Sequence, residues 1–480
     1  MPLARLIAPV IAAALAFLPL APSAAAQGGD DQLLAKIAAE FGGRYDDAQV
    51  GAYVTSIGQV IVATTPMARE PFTFTVLNSD IVNAFSLPGG AGGHVFITRG
   101  LLALANNEAE LAGVLGHEVG HVTAGHSKQR QHQDMMTQLG AAGAGLLGAL
   151  LGSPEFGNIA SQVVGTGGEL YLKKYSRDQE FEADQLGVNF MSRAGYDPQA
   201  MVSFLSSLEA QSALDGRIHG QVAGDKAYSM MADHPRTYDR VQRAMAEART
   251  SLPRDPMTKH EPYLRKIDGL LYGDDPQQGI IRGRVFEHPG LAIRFEVPPG
   301  FQLGNSETQV QARGPNGALI VFDQAPRAFT GDPAAYLRSW APNLVTQTER
   351  IDVNGMAGAT AAARAQLKSV GDVDLRLVAI RADGDRYYRF IFVSPPAATA
   401  QLAAGFQRTA YSFRRLNPGE AAQIRPLRVR MVRVSPADTV ESLSARLPFT
   451  ELKRERFLVL NNLPAGTVLR PGDVLKVIAE

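Results

Sequence analysis

The segment His117-Glu118-Val119-Gly120-His121 has the most direct chemical meaning in this chain. On a helix, residues four apart stack on one face, so His117 and His121 can present two imidazoles to a single point. Two such nitrogens can share a Zn2+ ion at about 2.0–2.1 Å each. Glu118 lies beside the first histidine and points to the open side of such an ion, where a carboxylate can take the proton of a water. The residues before it, Asn107 to Gly116, read as helix, with Asn106 or Asn107 as the N-cap.

A catalytic zinc needs a third protein ligand. An extended motif would put glycine three residues, and histidine six residues, past His121; Ala124 and Ser127 stand there instead. His126, five residues on, points off the ligand face of a continuing helix. The better source is Ser176-Arg177-Asp178-Gln179-Glu180-Phe181-Glu182-Ala183-Asp184. Glu180 and Asp184 are again four apart, so one carboxylate can ligate while the other receives an N–H from a ligating histidine. Spacing leaves Glu182 in competition with Glu180. Composition supports an oxygen and nitrogen site. The chain has no cysteine, which excludes thiolate-held zinc, cysteine-held iron–sulfur clusters, thiol catalysis and a disulfide framework.

These residues need elements to carry them. Residues 30–65 alternate with helical spacing. Phe72–Leu77, Val82–Leu87 and His94–Thr98 read as strands, with Gly89–Gly93 among the turn residues between them. Leu101 to about Arg249 reads as mostly helical, with a Gly/Ala-rich stretch at 139–168. The chain begins with a short basic start at Arg5, an apolar run Leu6–Leu20 and Ala24-Ala25-Ala26, the pattern of a cleaved export signal over residues 1–26. No later segment is long and apolar enough to span a bilayer. Lys+Arg and Asp+Glu are both 47, so the balance gives no basic footprint for nucleic acid. A hydrophobic share of 45% excludes wholesale disorder across the 480 residues.

The rest divides by composition. Residues 251–281, rich in Pro and Gly, read as a linker with little structure of its own. Residues 282–416 read as an α+β domain with an antiparallel sheet. Val373–Ile380 and Tyr387–Val393 form a hairpin across Asp383-Gly384-Asp385, and Asp332–Leu344 forms one helix. This part is similar to the PsbP/Mog-like fold. Residues 424–480 resemble a LysM module, the βααβ peptidoglycan-binding unit, through Ala437-Asp438-Thr439-Val440, Phe457–Asn462 and Leu469-Arg470-Pro471-Gly472-Asp473-Val474.

His117-Glu118-x-x-His121-Val122, Glu180-x-x-x-Asp184 and His234-Pro235 followed by Arg240 together resemble the zinc metalloproteases that include the HtpX membrane protease, the CAAX prenyl endopeptidase and the BepA-type periplasmic proteases. Asn83-Ala84-Phe85 and Thr98-Arg99-Gly100-Leu101 are similar to that family's lead-in. The resemblance covers about residues 30–250, in a protease domain at 27–250. It implies one Zn2+ held by His117, His121 and Glu180, with Glu118 as general base and Asp184 as orienting partner. It implies that His234 approaches the metal and that Arg240 steadies the site or a developing oxyanion. It also implies that His94–Thr98 is an edge strand for extended substrate; the chain departs from the family pattern at Gly89–Gly93, where extra small residues lengthen the turn before that strand.

The expected fold class is therefore α+β: a mainly helical gluzincin-type protease domain with a small edge sheet, an antiparallel α+β domain and a LysM-like βααβ module. The expected activity is an exported, periplasmic zinc endopeptidase. Its substrates would be unfolded or misassembled envelope proteins, with residues 424–480 holding peptidoglycan. The competing expectation is a latent protease, plugged by His234, that acts as a chaperone-like or wall-binding module.

Overall fold

A computed structural model describes residues 24–126, 175–219, 240, 243, 246, 252–306, 308–367, 371–382 and 384–480. The Gly/Ala-rich stretch at 139–168, His234, and the expected export signal up to residue 23 lie outside the described residues.

The chain starts with helices α1 (Ala24–Glu40) and α2 (Ala48–Val62). Asp47 caps α2 by accepting from the N–H groups of Gln49 and Val50. Three strands follow: β1 (Phe72–Leu77), β2 (Ala84–Gly89) and β3 (Gly92–Thr98). Their order in the sheet is β1-β3-β2. β3 runs parallel to β1, Phe72 opposite Gly93, and antiparallel to β2, Ala84 opposite Ile97. This corrects the expected edge strand. His94–Thr98 has a neighbour on each side, and β2 is an edge. The cause is non-local: β1 pairs across β2 to reach β3, which strand propensity does not encode. The turn is also shorter than expected. Gly89 and Gly92 pair with each other inside the ladder, leaving only Gly90 and Ala91 to reverse the chain. Gly92 is required by contact, since a Cβ there would lie 1.6 Å from the Pro71 carbonyl oxygen.

Beyond the sheet come α3 (Arg99–Leu104) and α4 (Glu108–Thr123). The Asn107 side chain caps α4 by accepting from Glu110 N–H at 2.9 Å. Every residue of α4 from Glu108 to Val122 is buried. Helix α5 (Arg177–Arg193) lies against it, started by a capping box between Ser176 and Gln179. Glycines set how close the two helices come. A Cβ on Gly187 would lie 2.9 Å from the His117 backbone nitrogen, and one on Gly116 3.1 Å from the Gly187 carbonyl. Helix α6 (Gln199–His219) packs on the same α4.

Residues 251–281 differ from the expected unstructured linker. They hold α7 (His260–Ile267) and β4 (Leu271–Tyr272). Tyr263, Leu264 and Ile267 of α7 are buried in the same core as α2 and α4. The partner that completes this core is distant in sequence. β4 pairs with β16 (Leu427–Arg433), which pairs with β17 (Val474–Ala479). Between β16 and β17 lie α10 (Val440–Ala445) and α11 (Lys453–Leu460), a βααβ order. Phe457, Leu443 and Ile478 of this unit share one hydrophobic cluster with Leu111 and Leu115 of α4. Lys476 of β17 is fully buried and donates to three successive carbonyls, those of Ala103, Leu104 and Ala105, at 2.7–3.0 Å. Those acceptors lie at the end of α3, just before the α4 cap. The His260 ring sits between the carbonyls of Asn106 and Val474, at 2.6 and 2.9 Å.

Residues 280–415 form the antiparallel unit. Seven strands lie in the order β11-β12-β13-β14-β10-β9-β8, the last three being β10 (Leu319–Gln324), β9 (Gln309–Arg313) and β8 (Gln302–Asn305). Those used below are β11 (Glu349–Val353), β12 (Met356–Leu367), β13 (Gly371–Arg381) and β14 (Tyr387–Ser394). The expected hairpin is the β13–β14 pair, with Ile380 opposite Tyr388. Helix α8 (Pro333–Trp340), capped by Asp332, covers one face and buries Trp340. Helix α9 (Thr399–Ser412) and a four-stranded sheet cover part of the other.

The glycine contacts give a test. Gly187→Ala would gain about 0.5–1 kcal/mol of helix propensity and lose about 1–3 kcal/mol to overpacking against the His117 backbone. The expected result is a net loss of stability in denaturant unfolding and weaker zinc binding by titration against a chelating dye. Unchanged zinc affinity would show that the α4–α5 spacing does not set the site.

Candidate metal centre

Two helices supply the site, one turn apart on each. From α4 come His117 and His121, which share a face because they are four residues apart. From α5 come Glu180 and Asp184 with the same spacing. The close approach at Gly116 and Gly187 brings these faces together. His117, His121 and Glu180 offer three ligand atoms within 4.8 Å of one another, all from buried residues. His117 Nε2 is 3.1 Å from His121 Nε2 and 3.6 Å from Glu180 Oε2, and His121 Nε2 is 3.6 Å from Glu180 Oε1. Ligands at about 2.0–2.1 Å in tetrahedral directions stand about 3.3 Å apart, so the triangle has the size that zinc requires. Two nitrogens and a carboxylate oxygen are also the donors zinc takes.

Around the triangle, each donor is held from behind. Asp184 Oδ1 lies 2.9 Å from His117 Nδ1. A carboxylate only accepts, so Nδ1 carries the hydrogen and Nε2 keeps its lone pair for the triangle. Arg240 joins the two acids. Its Nε and Nη2 donate to Asp184 at 2.7 and 2.8 Å, and its Nη1 lies 2.7 Å from Glu180 Oε2. Burial alone would raise the Asp184 carboxyl, but the Arg240 fork and the His117 N–H outweigh it and hold it at about 2. Burial likewise opposes the Arg240 charge, and the Asp184 and Glu180 carboxylates raise its pKa above the ordinary value. Glu118 is fully buried on α4 beside His117.

Sequence reasoning passed over two residues here. His126 is 2% exposed, and its Nδ1 is 3.0 Å from His121 Nδ1. Its Nε2 is 3.1 Å from Glu182 Oε2. Glu182 therefore stands behind His121 through His126, with a side chain 57% exposed, rather than in the donor triangle. The reversal comes from Gly125, whose φ of +72° ends α4 and brings His126 back over the helix. His126 stays out of the donor triangle, as its spacing implies, and Gly125 is the signal for its place behind His121. Tyr175 stacks on the His121 ring at 3.8 Å and 16°. Its only sequence signal is its place just before the Ser176 cap.

Removing the cation checks the charge balance. Arg240→Leu leaves two buried carboxylates without it and is expected to cost about 3–5 kcal/mol in denaturant unfolding, with Arg240→Lys recovering part. In the wild type, the Asp184 contribution is complete above its unfolded pKa of about 3.9 and is lost as pH falls through about 2. In Arg240→Leu that loss is expected at higher pH in acid-unfolding curves. An identical acid limb in both proteins would contradict this.

Comparison with known proteins places the geometry. The "Beta-barrel assembly-enhancing protease" of Yersinia pestis is 30% identical over 265 residues, 52% of this chain and 52% of that protein. The "Metalloprotease YcaL" of Escherichia coli is 29% identical over 175 residues, 36% of this chain and 60% of that protein. The chain thus spans about half the length of the first of these relatives. Among solved structures, cyanobacterial PsbP from Synechocystis is similar over 28% of this chain and 98% of its own, at 11% identity and a TM-score of 0.23. Residues 48–248, which include every donor of the triangle, match the model of peptidase family M48.

Proposed function

We propose that this chain is an exported zinc-dependent endopeptidase that cleaves unfolded or misassembled envelope proteins. The observation that carries this reading is the buried His117–His121–Glu180 triangle with Glu118 on the same helix. The names of the relatives support the envelope setting. No helix among the described residues is long and apolar enough to cross a membrane.

The roles follow from the donors. His117, His121 and Glu180 hold the ion. Zinc, when bound, supplies a Lewis acid for the scissile carbonyl and acidifies a water. Glu118 takes the proton of the attacking water on a carboxylate oxygen and passes it to the leaving amine. Asp184 keeps the His117 tautomer, and Arg240 keeps Asp184 ionised and holds Glu180 and Asp184 in register. His126 donates to Glu182 through Nε2, which leaves Nδ1 to accept from His121, so the His121 tautomer is set in the same way. Burial of all three donors keeps bulk water from competing for the ion.

The test is digestion of unfolded casein by the full chain. Cleavage should stop with a chelator and return with zinc. Glu118→Gln should bind zinc as the wild type does and lose cleavage by at least about a hundredfold. Glu180→Ala should lose zinc, while Glu182→Ala should keep it. Cleavage retained in Glu118→Gln would overturn the assignment of the base.

For residues 424–480, the βααβ order supports a wall-binding module, while burial of Phe457 and Lys476 against the first half supports a structural one. We propose peptidoglycan binding as an added role of its outer face. The full chain should then be retained on purified sacculi and released by soluble wall fragments. Passage without retention would leave the structural role alone.

A further inference from the structure

A cleft of about 880 Å3 opens in the antiparallel unit, between α9 and the face of β11, β12 and β13. It is remote in sequence from the M48 residues and is lined by none of the metal-site residues. Its volume is within the range of small-molecule sites, about 300–1,000 Å3.

Its walls combine small apolar side chains with polar ones, Gln407 of α9 among them. Ala400, Ala403 and Ala404 of α9 face it from one side, and Ala362 of β12 from the other; all four are exposed. Phe392 and Phe406 lie buried at its base. Tyr411, 42% exposed, stands at the far end of α9 and also lines the cleft. The main chain of these walls is engaged. β12 and β13 pair through Ala362 opposite Arg376, and α9 is a continuous helix of 14 residues. The main chain of the slot therefore offers few hydrogen bonds along its length, and the polar groups there are side chains.

One end is different. Arg376 lines the cleft, is exposed, and makes no hydrogen bond or ion pair among the described residues. The nearby acid does not neutralise it. Asp374 accepts from Arg364 Nε at 2.7 Å through Oδ1 and from Thr399 Oγ1 at 2.7 Å through Oδ2, so its charge is paired with Arg364. Thr399 begins α9, and the N-cap residue Ala398 provides no side-chain cap. An open guanidinium thus lies toward the end of the slot where α9 starts, and it favours an anion. The other charged lining group, Glu349, lies toward the opposite end, opposite Thr360.

We propose that this cleft binds a single-chain anionic amphiphile. Its carboxylate or phosphate sits at Arg376 and the start of α9, and its apolar chain lies along Ala400, Ala403 and Ala404 toward Tyr411. From Thr399 to Tyr411 the helix rises about 18 Å, room for an extended chain. A peptide fits less well, because the main chain of both walls is already paired and leaves no strand edge for its own N–H and C=O groups.

Calorimetric titration of the full chain with dodecanoate, dodecyl phosphate and dodecanol, each below its micelle concentration, tests this. Saturable binding of at least one anion, with dodecanol about tenfold or more weaker, is expected. The stronger anion identifies the source as a free fatty acid or a phosphate headgroup. Arg376→Gln should remove that preference, and Ala403→Phe should block all three ligands, each at an unchanged thermal midpoint. Arg376 is an exposed side chain, so its variant keeps the test valid if Ala403→Phe does not fold. Absence of saturable anion binding, equal binding of dodecanol, or indifference to Arg376→Gln would overturn the proposal. So would displacement of dodecanoate by a decapeptide that binds more tightly.

Discussion

The distance between α4 and α5 governs this structure. At Gly116 and Gly187 the two helices meet main chain to main chain, where a Cβ would come within 3.1 and 2.9 Å of the facing backbone. Only at that spacing can side chains of four-residue periodicity on each helix meet as a cluster: two imidazoles from one, two carboxylates from the other. The approach carries a cost. It buries acidic groups that water would otherwise solvate, and each must find a partner inside. Arg240 meets that demand with three contacts to Asp184 and Glu180. The metal-binding geometry and the internal ion pairing are thus two results of one packing choice.

The same constraint reaches the end of the chain. Helix α4 is buried on all sides, so it needs cover beyond what residues 24–219 provide. That cover comes from α7 and from the βααβ unit, whose β16–β17 pair closes on β4. Lys476 collects the carbonyls that end α3 and so fixes the joint from which α4 starts. The antiparallel unit is spliced between β4 and β16. The two halves of the M48-bearing core therefore come from opposite ends of the sequence.

Much of the site was legible because its signals are local. The four-residue spacings, the Asn107 cap and the absence of cysteine select His117, His121 and a carboxylate of 180–184 without any structure. What sequence reasoning missed depends on contacts far apart in the chain or on a single turn. The order β1-β3-β2 is non-local, so β3 looked like an edge. Residues 251–281 looked like a linker because the strand that pairs with β4 begins at Leu427. His126 is rightly outside the donor set, and its contact with His121 depends on the left-handed Gly125 that ends α4. The buried Lys476 carried no signal at all, since a lone lysine in a strand ordinarily faces water.

The central claim is that one zinc ion sits among His117, His121 and Glu180. A zinc-edge anomalous difference map of crystals of the full chain tests it most directly. The account predicts one peak per chain within about 2.0–2.2 Å of both Nε2 atoms and a Glu180 oxygen, with His126 and Glu182 outside bonding distance. A peak coordinated by His126 or Glu182, or none at the triangle in zinc-loaded protein, would contradict it.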